Sequence, residues 1–234
     1  MARFVILLML LSHFGLYAAS EGITVSPTTL IINPQDGVTT LRLKNRGKQE
    51  AVYELAGYSW ALDSGRDVLT LERAFVATPP VVTLAPGEER IVRIGLLSTQ
   101  HEGPVEQAYR LRISQLEGAP AQGIGLNVRL QMLLPVFIEG AERKPQLSFD
   151  ARKDENGSLC IAGRNDGYAH AKLVWVADAE APEQKIPVQR YVLAQSDAEL
   201  CAIPGLEVRN ELLVGVTTAY QGAVEPYRVS VIGD

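Results

Sequence analysis

Gly125-Leu126-Asn127-Val128-Arg129-Leu130-Gln131-Met132-Leu133-Leu134-Pro135-Val136-Phe137 is the stretch that decides the fold. Leu126, Val128, Leu130, Met132 and Leu134 fall on every second position, with Asn127, Arg129 and Gln131 between them. A helix would space its apolar positions three and four apart; strict alternation is the signature of a strand with one buried face. The same pattern lies just upstream. Tyr109, Leu111 and Ile113 alternate with Arg110 and Arg112, and Arg90 to Leu96 alternates likewise.

Working towards the N-terminus, strand follows strand. Val52 to Trp60 carries β-branched and aromatic residues, and Thr39 to Lys44 presents Leu41 and Leu43 on one face before the turn Asn45-Arg46-Gly47. Ile23-Thr24-Val25 and Leu30-Ile31-Ile32 flank Pro27, so the first strand breaks at a bend. Asp63-Ser64-Gly65 and Ala85-Pro86-Gly87-Glu88 are further turns. About seven strands are expected by residue 139, at the spacing of a sandwich. The polar stretch from Glu139 to Pro145 then reads as a linker. Beyond it comes a second β-series: Leu147-Ser148-Phe149, Ser158 to Ala162, Ala171 to Val176, Tyr191-Val192-Leu193, Leu200 to Ile203, Glu211 to Thr217 and Tyr227 to Ile232. Cys160 to Gly167 echoes Leu41 to Gly47, each a strand ending in an Asn-then-Gly turn. The expectation is an all-β chain of two immunoglobulin-like β-sandwich domains joined by a short linker, 21–140 and 141–234.

Composition closes off other classes. Of 234 residues 47% are hydrophobic and 21% charged, a globular balance. With 22 basic against 27 acidic residues the net charge is −5, which argues against a nucleic-acid partner. Two cysteines and three histidines are too few for a multi-cysteine zinc cluster or an iron–sulfur site. Arg3, the apolar run from Phe4 to Leu11 and the small residues Ala18-Ala19-Ser20 have the layout of a secretory signal peptide over 1–20, cleaved before Glu21. The run is shorter than the ~20 apolar residues of a membrane-spanning helix, so no span is expected after cleavage. Cys160 and Cys201 lie in the second domain of an exported chain and are expected to pair, contributing about 4 kcal/mol in the chain-entropy model.

A search for catalytic residues yields none. His101 reads as a surface loop residue and His170 as a turn residue or a partner of a backbone group. A nucleophile elbow, a phosphate-binding glycine loop and a set of metal ligands are all missing, so neither enzyme nor cofactor is expected.

Several segments, taken in order, resemble the periplasmic chaperones of chaperone–usher pilus assembly, the PapD-like family. They are Val25-Ser26-Pro27, Asn45-Arg46-Gly47, Pro79-Pro80 through Leu84, Pro86-Gly87-Glu88, Val92-Arg93-Ile94, Glu106 with Tyr109-Arg110-Leu111, and Leu134-Pro135-Val136-Phe137. In the second half Asn165-Asp166-Gly167, His170-Ala171-Lys172-Leu173 and Tyr191-Val192-Leu193-Ala194 look similar too. Leu-Pro-Val-Phe and Tyr-Arg-Leu-Arg look most like the archaic, spore-coat-U-type branch. The resemblance implies a periplasmic protein whose partners are pilin subunits and an outer-membrane usher. Such a chaperone lends the last strand of its first domain to a pilin that lacks one. Carried onto this chain, Leu126, Val128 and Leu130, extended by Met132, would fill the pilin groove. Three such side chains are worth on the order of 5–8 kcal/mol before ordering costs.

One departure concerns the pilin C-terminal carboxylate. The family pattern holds it with two basic residues, and the matching positions here are Thr29 and Pro135. Arg110, Arg112 and Arg129, on the polar faces of the adjacent strands, are the nearest replacements. The loop Glu117 to Gly125 is short, unlike that of the long-loop class serving thin fibres. The rival reading is a structural pilus subunit or adhesin. It would require a domain lacking its last strand, whereas both halves of this chain carry one.

Overall fold

Where the sequence alternates, the backbone is extended. The structure is a computed structural model and describes residues 22–97, 103–116, 129–155, 157–208, 210–218 and 222–232. Among these there is strand and turn but no helix. The first half contributes β1 (Ile23–Ser26), β2 (Leu30–Ile32), β3 (Val38–Asn45), β4 (Ala51–Asp63), β5 (Arg66–Leu71), β6 (Phe75–Thr78), β7 (Val81–Leu84), β8 (Glu89–Leu96), β9 (Gln107–Gln115) and β10 (Gln131–Ile138). The second half contributes β11 (Leu147–Lys153), β12 (Leu159–Asn165), β13 (Ala171–Asp178), β14 (Ile186–Val192), β15 (Ser196–Cys201), β16 (Glu211–Thr218) and β17 (Glu225–Ile232).

Two sheets face each other in the first half, in the orders β1-β3-β8-β6 and β2-β10-β9-β4-β5, with β7 also on β4. Their inner faces make one core that includes Leu41, Leu43, Leu55, Ile94, Leu111 and Val136. The break at Pro27 moves the chain between layers: β1 pairs with β3 in one sheet and β2 runs parallel to β10 in the other. More strands form than the seven expected, because β5, β6 and β7 are short pieces between turns.

The second half is one seven-stranded sheet, β14-β13-β16-β17-β11-β12-β15, curled around Ile161, Leu173, Val176, Val214 and Val216. Two expected strands shift upstream. β14 starts at Ile186 rather than Tyr191, and β15 ends at Cys201 rather than starting near it. Cys160 and Cys201 are direct cross-strand partners of β12 and β15 and are joined in a disulfide.

The Asn-then-Gly repeat marks equivalent corners of the two halves. Asn45 and Asn165 are both fully buried at strand ends. Each side-chain oxygen accepts from the amide of Gly47 or Gly167, two residues on. Each side-chain nitrogen donates to the carbonyl four residues on, Gln49 or Ala169, and to a carbonyl across the layer, Leu84 or Leu193. The asparagine closes its own turn and ties it to the opposite strand, which satisfies a buried polar group completely.

A third apolar cluster joins the halves. Trp60 of β4, Phe137 of β10 and Leu193 are buried together, with Ile31, Leu62 and Tyr191 packed on them. Around it, Arg190 of β14 donates to the Gly65 carbonyl and sits 3.3 Å from Asp67, while Gly65 bridges to Ala198 of β15.

Candidate functional site

β10 lies between β9, along its whole length, and β2, which pairs only with Val136, Phe137 and Ile138. Among the described strands, none pairs with the β2 side of Gln131 to Pro135. The parity of the ladder defines what this edge offers. The Gln115 amide donates to the Leu130 carbonyl at 2.9 Å, so the even-numbered residues of β10 exchange bonds with β9. Odd-numbered residues then turn their N–H and C=O groups to the other edge. On that side the Glu139 amide reaches the Ile32 carbonyl at 3.0 Å.

Side chains follow the same parity. Met132, Leu134, Val136 and Ile138 point inward: Met132 packs against the first core, and the other three are buried in it. Leu133 points outward and is 43% exposed. Among the described residues the strand runs past the end of the apolar alternation at Leu134, through Pro135 to Ile138. Proline is accommodated because its nitrogen faces away from β9. Of the residues expected to fill a partner's groove, Leu126 and Val128 lie outside the described residues. Leu130 is half-buried just ahead of the strand. Met132 shares the face of its own core.

The outer face of the same sheet carries the arginines. Register places Pro135, Arg110 and Tyr58 in one row and Leu133, Arg112 and Ala56 in the next. Arg110 stacks with its guanidinium carbon 3.6 Å from the Trp60 ring centre and 5.5 Å from that of Tyr191, in the cleft between the halves. Burial pulls its guanidinium below the usual arginine range, against the opposing pull of Asp67. Asp67 itself is engaged by the Trp60 indole at 2.8 Å and by Arg190. Among the described residues no carboxylate forms an ion pair with Arg110. Arg112 differs: it is 3.6 Å from Glu54 and 5.0 Å from the Tyr58 ring centre. Arg129 is exposed just before β10. Thr29 and Pro135 are brought together, one step before the paired residues Leu30 and Val136.

His170, read from the sequence as a turn residue or a partner of a backbone group, is a buried interdomain residue whose ring meets a carboxylate instead. Its Nδ1 lies 2.8 and 3.0 Å from the two carboxylate oxygens of Glu106, and its backbone amide donates to the first of them at 3.1 Å. A carboxylate accepts these contacts, which assigns the proton to Nδ1. The ring stacks on Phe137 at 3.5 Å between centres. Glu106 is therefore taken up by the second half and does not join the face of Arg110 and Arg112. Trp60 and Asp67, which shape the cleft, carry no sequence motif, and the segment that begins at Tyr191 does not announce that its ring faces the first half. Only their meeting in space reveals them.

Residues 22–142 match a family model described as the PapD N-terminal domain of pili and flagellar-assembly chaperones. No curated protein matches the sequence significantly. Among solved structures, the chain is similar to one in the CsuC–CsuE chaperone–tip adhesion subunit pre-assembly complex from archaic chaperone-usher Csu pili of Acinetobacter baumannii. That likeness has 19% identity and a TM-score of 0.70, and covers 90% of this chain and 99% of that one. The Salmonella enterica SafA pilin in complex with the SafB chaperone gives 14% identity and a TM-score of 0.62, over 89% and 95% of the two chains. The E. coli chaperone DraB gives 15% and 0.62, over 89% and 97%. At these identities the likeness establishes a shared two-domain all-β fold.

Proposed function

The chain belongs to the family of pili and flagellar-assembly chaperones with a PapD N-terminal domain, and we propose that it binds pilin subunits in the periplasm by donor-strand complementation and passes them to an outer-membrane usher. The observation that carries this reading is the half-covered β10, with an open edge ahead of Pro135 and an apolar face continuous with the first core. Strand addition to such an edge is the established mode of chaperone–pilin pairing. An added strand would satisfy the open backbone groups, while Leu126, Val128, Leu130 and Met132 would extend the core into a partner's groove. The role is non-enzymatic and needs no cofactor.

In this reading residues 1–20 direct export, 21–140 form the subunit-binding domain and 141–234 the second domain. The pilin carboxylate is held by the arginines of the outer face. Arg110 is the best placed of Arg110, Arg112 and Arg129, since it is half-buried in the cleft and without an ion pair among the described residues. The test is co-expression with candidate pilins. Wild type should keep one soluble, and Val128→Asp should lose it while the chaperone keeps its own cooperative melt, because an unpaired charge in an apolar groove costs several kcal/mol. Loss of that melt, or capture unaffected by the substitution, would show that Val128 does not enter the partner.

A further inference from the structure

Pro135 stands where β2 leaves β10. The last paired positions are Leu30 and Val136, and continuing the parallel register sets Thr29 beside Pro135 and Thr28 beside Leu134. In a parallel ladder a residue on one strand bonds to the two residues flanking its partner. Glu139 N–H to Ile32 C=O fixes which residues those are. By the same rule Leu30 donates to the Pro135 carbonyl. The next bond would run from the nitrogen of residue 135 to the Thr28 carbonyl. Proline has no hydrogen there. The ladder between β2 and β10 has to stop, and Thr28 and Thr29 carry no strand pairing.

We propose that Pro135 keeps the donor edge open: by denying β2 its next hydrogen bond, it prevents β2 from extending through Thr28 over the edge that a pilin strand must occupy. This rests on the strand-addition reading above. Proline usually guards sheet edges against unwanted pairing. Here the excluded competitor is the adjoining segment of the same chain, already next to the edge and therefore at a high effective concentration. The groups left open among the described strands are the N–H and C=O of Gln131 and Leu133, both exposed residues. The ladder with β9 loses nothing, since position 135 bonds away from β9.

The test is hydrogen exchange on the free protein and on its complex with a pilin subunit that co-purifies after co-expression. In Pro135→Ala, the new amide at 135 should exchange at least ~tenfold more slowly than an unstructured reference in the free protein. Pilin recovered per chaperone should fall severalfold. A second variant, Leu133→Pro, removes one donor from the open edge without touching the β9 ladder. It should lower pilin recovery while leaving the urea midpoint of the free protein close to wild type. A freely exchanging amide at 135, or a protected one with undiminished recovery, overturns the proposal. If the amides of Gln131 and Leu133 gain no protection when wild type binds pilin, the strand-addition reading fails first and takes this one with it.

Discussion

Asn165 makes more buried hydrogen bonds than any other side chain described here. Its amide reaches Ala169 and Leu193 at 2.8 and 3.0 Å, and its oxygen accepts from Gln146 and Gly167, both at 3.0 Å. Asn165→Leu leaves those backbone groups without partners in a dry corner. A loss of about 3 kcal/mol or more is expected in urea unfolding, above the usual cost of a point substitution. Asn45→Leu should do the same to the first half, with fewer bonds lost and a smaller shift. The disulfide allows a second test at this scale. It closes a loop of 41 residues between β12 and β15. Replacing both cysteines by alanine should cost about 4 kcal/mol in the chain-entropy model. Thiol titration of the denatured, unreduced protein should find no free sulfhydryl.

At the level of elements, β9 and β10 show what alternation reveals and what it hides. The inward set Leu111, Ile113, Met132 and Leu134 is legible because a strand has a period of two and one face is dry. The two arginines are equally legible as a pair on one face. Their inequality is not, because it depends on strands far away in sequence. Arg112 meets Glu54 and Tyr58, whereas Arg110 meets Trp60 and, across the cleft, Tyr191. Arg110→Ala should therefore reduce pilin recovery by on the order of tenfold, the scale of losing one buried charge-assisted contact. Arg112→Ala should reduce it less, since Glu54 already holds that guanidinium. Amidating the pilin C-terminus should abolish the difference. Equal recovery from both variants before amidation would remove Arg110 from the anchor.

For the whole molecule, the decisive contact joins residues 64 positions apart, Glu106 and His170. Nothing local in either segment announces it, which is why the histidine reads as a turn residue or a partner of a backbone group until the halves are assembled. The strand count of the second half and the break at Pro27 are local in origin and are readable without the fold, whereas the change of layer that the break produces is not. The docking of one half on the other is set by side chains that only the fold brings together. Glu106→Ala leaves a buried imidazole unpaired and should cost about 3 kcal/mol. It should also split thermal unfolding into two steps if this tie is what makes the halves melt together. A single unchanged transition would assign that coupling to the Trp60–Phe137–Leu193 cluster instead.

β10 is built as a cantilever. Its root, from Val136 to Ile138, is clamped along both edges by β2 and β9, with Phe137 pressed between the halves. Its tip, from Gln131 to Leu133, is held along one edge only among the described strands. A cargo strand laid along the tip can be peeled away one bond at a time by a competitor arriving along the open edge. The root carries the load throughout and never opens, so under the proposed function the protein that gives up its cargo is already folded for the next.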